Sequence, residues 1–148
     1  MPMNNSKNVG LLGEEIAIVE LLENDIIISR PLGDNSRYDL IIDINNKLYK
    51  TQIKSTMSSN DEAVKFNLRS SYAHRRNNSY KKYTIEEIDL FLLVDITKKM
   101  CFLLSGKHFI DKTHINIRYK NTKNKQYNNI NWYSDFLLVN IIDELQKK

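Results

Sequence analysis

The chain is poor in the residues that usually punctuate or staple a protein: one cysteine, two prolines and four glycines. A single cysteine, Cys101, excludes an intramolecular disulfide framework and fits a reducing compartment. Its position inside the apolar run MCFLL marks it as a small core residue. So little glycine and proline leaves scant material for flexible linkers. No apolar run approaches the ~18 residues of a membrane span. The opening MPMNNSKN holds no apolar segment of the kind a secretory signal needs. Neither a zinc-ligand pattern nor a phosphate-binding glycine loop occurs, so no nucleotide cofactor is expected. What remains is 148 residues, 41% of them hydrophobic. That is the size and composition of one intracellular domain covering residues 1–148.

Acid is also missing, but only in places. Residues 1–64 carry 6 Lys/Arg against 10 Asp/Glu, whereas residues 65–134 carry 14 against 5. Segments 63–85 and 112–134 contain no acid. Such asymmetry suggests a face for a polyanion. The first segment, KFNLRSSYAHRRNNSYKKY, offers Lys65, Arg69, His74, Arg75, Arg76, Lys81 and Lys82. The second, RYKNTKNKQYNN, adds Arg118, Lys120, Lys123 and Lys125. Contacts to DNA phosphates are therefore expected near 65–82 and 118–127, with arginine able to add base-edge contacts. The competing reading is a pair of solvated loops with tyrosines packed beneath. His108 and His114 have no partner at metal-ligand spacing.

Apolar spacing predicts a helix over roughly 10–24, stopped at Asn24-Asp25. A short strand, IIISRP, follows, then strands YDLIIDI and KLYKTQIKS joined by Asn45-Asn46, a pair suited to a two-residue hairpin turn. AVKFNLRS reads as one further strand, and 70–84 as an irregular basic segment. IDLFLLVDI and MCFLLSG read as central strands, HINIRY as an edge strand. SDFLLVNIIDELQKK reads as a helix capped by its serine. The order implies a mixed α/β domain.

With its turn at Asn45-Asn46, the hairpin sets Asp39 across from Gln52, with Lys54 on the same face. A carboxylate, an amide oxygen and an ammonium then stand together. A hard cation such as Mg²⁺ takes oxygen ligands of this kind. It can polarise a phosphate and activate water, while a lysine stabilises developing charge. Asp39 would be the principal ligand, helped by Gln52 and the Ile53 carbonyl. Glu14 or Glu15 of the first helix could add an acid, and spacing does not choose between them.

The pieces GLLGEEIAIVELLEND, RPLGDNSRYDLIID and KLYKTQIKST, in that order, resemble the PD-(D/E)xK nuclease superfamily. The likeness is to the branch that includes cyanobacterial group I intron-encoded homing endonucleases, and it extends through YTIEEIDLFLLVDI. It implies a restriction-endonuclease-like fold of αβββαβ type, with a mixed central sheet flanked by helices. It also implies a Mg²⁺- or Mn²⁺-dependent endonuclease cutting duplex DNA. The resemblance assigns Asp39 and Lys54 as the motif acid and lysine, and favours Glu14 as the helix acid. Gln52 stands where most of the superfamily has Glu or Asp and where this branch has Gln. One site per chain calls for a homodimer or higher oligomer to cut both strands. Two alternatives remain: a structure-selective, repair or restriction nuclease, and a DNA-binding module with a decayed site.

Overall fold

The computed structural model describes residues 5–71, 80–121 and 129–147. Helix α1 (Ser6–Glu23) starts earlier than apolar spacing predicts, because the Asn5 side chain accepts a hydrogen bond from the Lys7 N–H at 2.9 Å and so caps the first turn. It stops where expected. The Asn24 amide donates to the Glu20 carbonyl, and Asp25 takes a left-handed φ of 57°. Strands β1 (Ile27–Ser29), β2 (Leu40–Ile44) and β3 (Lys47–Thr56) follow. Asn45 and Asn46, at φ 53° and 65°, make the tight turn between β2 and β3. The ladder runs from Ile44 opposite Lys47 to Leu40 opposite Thr51, the register the turn predicts.

The chain then leaves the sheet through β4 (Ala63–Asn67), β5 (Arg69–Ser71) and β6 (Tyr80–Lys82). It returns as β7 (Leu90–Asp95), parallel to β3, and turns back as β8 (Met100–Ser105). The central sheet has the order β1-β2-β3-β7-β8 and is mixed because β3 and β7 run in parallel. Every residue of β7 is buried, as an apolar strand covered on both faces should be. Its side chains alternate between two cores. Leu90, Leu92 and Val94 pack with Ala17 and Leu21 of α1. Phe91 and Leu93 face an aromatic core with Phe66, Phe102 and Phe109, where Phe91 meets Phe109 edge to face at 4.9 Å.

That second core is roofed by a three-stranded sheet, β10 (Asn131–Trp132), β9 (His114–Arg118) and β4, with the short helix α2 (Gly106–Phe109) beside it. Helix α3 (Leu138–Gln146) supplies Leu138 and Ile142 to the first core. The architecture is a mixed central sheet flanked by helices, with strands rather than a helix in the described part of the β3-to-β7 crossover.

Three local expectations give way to tertiary contacts. AVKFNLRS is two strands, β4 and β5, in different sheets. The Asn67 side chain accepts from the Arg69 N–H and the Leu68 N–H pairs with Thr113, which turns the chain between them. HINIRY is a middle strand, not an edge. The last helix begins at Leu138 without a serine cap. Phe136 is drawn into the aromatic core and its carbonyl accepts from Leu103 N–H, so Tyr133–Asp135 form only a 3-10 turn.

Candidate active site

Strand β2 begins at Leu40, one residue past Asp39, while β3 runs on beyond it. The Asp39 N–H still donates to the Thr51 carbonyl at 2.9 Å. Its carboxylate then takes the place of the next backbone partner, with Oδ2 accepting from the Ile53 N–H at 2.9 Å. In an extended strand the N–H and C=O of one residue leave on the same edge, so the Ile53 carbonyl also faces the side where β2 has ended. Burial holds the Asp39 pKa above the ordinary carboxylate range, against the opposing effects of the Ile53 hydrogen bond and the Lys54 charge.

Helix α1 brings Glu14 to the same corner. Glu14 and Asp39 line one cavity of 320 Å³ with Arg30, Pro31, Gly33, Asp34, Ser36 and Tyr38. The Glu14 pKa is raised by burial and then by the Asp39 charge, while Arg30, 3.3 Å away, pulls it down. Glu15 also reaches Arg30, at 3.5 Å, but lines a different cavity, between α1 and the turn that joins β7 to β8. The close approach of α1 to β3 depends on Gly13, where an added Cβ would lie 2.3 Å from the Ser55 Cβ.

Lys54 follows two residues after Gln52 on the same face of β3. Its ammonium donates to the Arg69 carbonyl at 2.8 Å and lies 5.4 Å from the centre of the Tyr83 ring. Burial lowers the Lys54 pKa; Asp39 opposes this and Arg37 adds to it. Gln52 does not line the Glu14–Asp39 cavity. Its Nε2 donates to the Ile53 carbonyl over a long 3.4 Å. Among the described residues no group of three or more His, Cys, Asp or Glu forms a metal cluster. The two carboxylates of this cavity nevertheless suit a hard, oxygen-seeking ion, and a cation would relieve the charge that Asp39 imposes on Glu14. The donor set fits Mg²⁺ or Mn²⁺.

The basic candidates divide by position. Arg69 lies in β5, Lys81 and Lys82 in β6, on the hairpin that holds Lys54. Lys81 stands 3.7 Å from Glu87, and the Lys82 ammonium donates to the Asp111 carbonyl. Lys65 is exposed on β4, and its charge, with that of Arg69, contributes to a lowered pKa at His114 after desolvation. Arg118 is at the far end of the β4–β9 ladder, opposite Ala63, and donates to the carbonyls of Lys120 and Asn121. Arg118 and Lys120 therefore sit apart from the Lys54 corner. His74, Arg75, Arg76, Lys123 and Lys125 lie outside the described residues.

Arg30, Arg37 and Tyr83 are site neighbours that the sequence reading did not single out. Arg30 and Arg37 flank the expected turn as ordinary surface cations would. Only the fold brings Arg37 to Glu87, at 2.8 Å, and to the Tyr83 ring, at 4.1 Å.

A helix bearing an acid, an antiparallel β1-β2-β3 unit, a parallel partner for β3 and an acid at the start of β2 together define a restriction-endonuclease-like fold. The chain belongs to the PD-(D/E)XK endonuclease family, whose sequence model matches residues 4–139. The solved structure of a bacterial homing endonuclease, I-Ssp6803I, is similar with a TM-score of 0.72, covering 98% of this chain and 99% of that one. At 22% identity that similarity is one of fold. No curated protein matches the chain. No helix among the described residues is long and apolar enough to cross a membrane.

Proposed function

We propose that the protein is a divalent-metal-dependent DNA endonuclease whose single domain resembles a homing endonuclease in its task as well as its fold. The observation that carries this reading is the meeting of Glu14 and Asp39 in one cavity, with the half-buried Lys54 close enough to feel the Asp39 charge. Asp39, Glu14, the Ile53 carbonyl and, after rotation of its amide, Gln52 would hold Mg²⁺ or Mn²⁺. Such an ion supplies polarisation of the scissile phosphate and a water of lowered pKa. Asp39 is fixed for this work by the Ile53 N–H. Lys54 stabilises negative charge as it develops on the phosphate or orients the attacking water. Lys65, Arg69, Lys81 and Lys82 would carry the DNA backbone past this corner, with His74, Arg75, Arg76, Arg118, Lys120, Lys123 and Lys125 extending the track.

Hydrolysis of both strands needs two such sites, supplied most simply by a second copy of the chain. The outer face of α1 offers Leu11, Val19 and Leu22, more than half exposed at 59%, 53% and 56%, as apolar surface for it. The test is incubation of supercoiled plasmid with Mg²⁺ or Mn²⁺, the parent against D39A. The parent should nick and linearise the plasmid, and D39A should not. Equal cleavage by both would remove Asp39 from the chemistry. One observation favours a second reading, a DNA-binding module with a decayed site: residue 52 is a glutamine, whose amide brings no negative charge to a cation. Tight DNA binding without cleavage in either ion would support it.

A further inference from the structure

Arg37 takes no part in the proposed ion site, yet its guanidinium joins three segments around Lys54. Its Nε faces the Glu87 carboxylate at 2.8 Å. Nη1 donates to the Ser70 hydroxyl at 2.8 Å, and Nη2 to the Lys82 carbonyl at 3.4 Å. Its charged carbon lies 4.1 Å from the centre of the Tyr83 ring, the same ring that Lys54 approaches. Arg37 thus grips β5 through Ser70 and β6 through Lys82. The residue beside Ser70, Arg69, is the one whose carbonyl accepts from the Lys54 ammonium at 2.8 Å. The Arg37 side chain is only 24% exposed, which suits an internal tie better than a DNA contact.

We propose that Arg37 is a positioning residue for cleavage: it fixes the β5–β6 hairpin so that the Arg69 carbonyl holds the Lys54 ammonium beside Asp39. The inference rests on the nuclease reading above. A lysine ammonium on a four-carbon stem has three rotatable donors and no preferred fork, so its placement depends on an anchor. A planar guanidinium with five fixed donors can bridge a carboxylate, a hydroxyl and a carbonyl while stacking on a ring, and a lysine cannot.

The test uses the full chain, comparing R37M and R37K with the parent. Two quantities are read: single-turnover cleavage, and the mobility of the Lys54 side chain followed by relaxation of its ¹³Cε resonance. R37M should slow cleavage about tenfold to a hundredfold while DNA affinity changes less than about threefold. It should also loosen the Lys54 side chain. R37K, which keeps the charge but not the fork, should recover only part of the rate. An R37M protein with parent-like cleavage and a Lys54 side chain as ordered as the parent's overturns the proposal. Should R37M not fold, a fully active R37K overturns it equally. A parent protein that cuts DNA in neither ion defeats the nuclease reading instead, and the Lys54 mobility then decides the Arg37 link alone.

Discussion

Two aspartates beside the central sheet, Asp39 just before β2 and Asp95 at the end of β7, have opposite surroundings. Asp95 is fully buried. Its oxygens accept from the Ser59 hydroxyl at 2.8 Å, the Tyr119 hydroxyl at 2.6 Å and the Lys98 N–H at 3.3 Å, with the Lys98 ammonium 3.8 Å away. Asp39 accepts one hydrogen bond among the described residues, from Ile53, and opens onto a cavity it shares with a second acid. A buried carboxylate with its lone pairs filled is a structural tie. A carboxylate with one such donor, beside another acid, keeps acceptor capacity that the structural tie does not. The contrast separates a residue that holds β7 to the β9 strand end from the one proposed above to hold the ion.

The largest effects should fall on these two residues in opposite ways. D39N is expected to lower cleavage by more than about a thousandfold, within the range of removing a central catalytic group, with no loss of thermal stability. D95N should cost about 3 kcal/mol of stability, as breaking a buried charge network does, while the folded fraction still cleaves. Chemical denaturation alongside plasmid cleavage checks both. An active D39N, or a D95N as stable as the parent, breaks the contrast.

Next in size is a pair of glycines in α1. G13A drives a methyl into Ser55 at 2.3 Å, so it should cost about 1–3 kcal/mol as overpacking does and displace the neighbouring Glu14. Nothing lies within 4 Å of a Cβ at Gly10, so G10A should stabilise the helix by about 0.5–1 kcal/mol. Thermal melts of the two variants decide it.

The pH dependence sharpens the comparison further. The pKa values of Asp39 and Glu14 are raised in the folded protein. The folded state therefore binds protons more tightly than the unfolded chain there, and stability falls as pH rises through and above the ordinary carboxylate range of about 4. Compared with a D39N/E14Q variant, the metal-free parent should lose melting temperature as pH rises from 4 to 7. Mg²⁺ should restore part of that loss in the parent alone. Glu14 is less deeply buried than Asp39, so Asp39 should supply most of the effect.

The smallest effect belongs to the basic surface. K65A should weaken DNA binding similarly for any sequence and reduce the salt slope by about 1. Fluorescence titrations at several salt concentrations would read it.

The hairpin under the candidate site was legible because it is built from local rules. Asn45-Asn46 dictates a turn and the turn dictates the register as far as Leu40 opposite Thr51. The expected pair of Asp39 with Gln52 falls just past the ladder's end, where Asp39 instead bonds Thr51 and Ile53. The alternation of β7 and β8 between two cores is likewise written in their unbroken apolar runs. What could not be read depends on contacts between distant segments. Phe136 abandons a helical pattern because the aromatic core offers it more burial. Arg37 finds Glu87 only once β7 has returned beside β3. Glu14 and Glu15 share their spacing with apolar neighbours, and only the position of α1 against the start of β2 tells them apart.

The central claim, that Asp39 and Glu14 form a metal-binding corner, is tested most directly by diffraction from crystals soaked in Mn²⁺, using the anomalous signal of the ion. The account predicts a peak bonded to the Asp39 carboxylate and the Ile53 carbonyl, facing Glu14, and absent in D39A crystals. A well-occupied Mn²⁺ away from Asp39, with this corner empty, would contradict it.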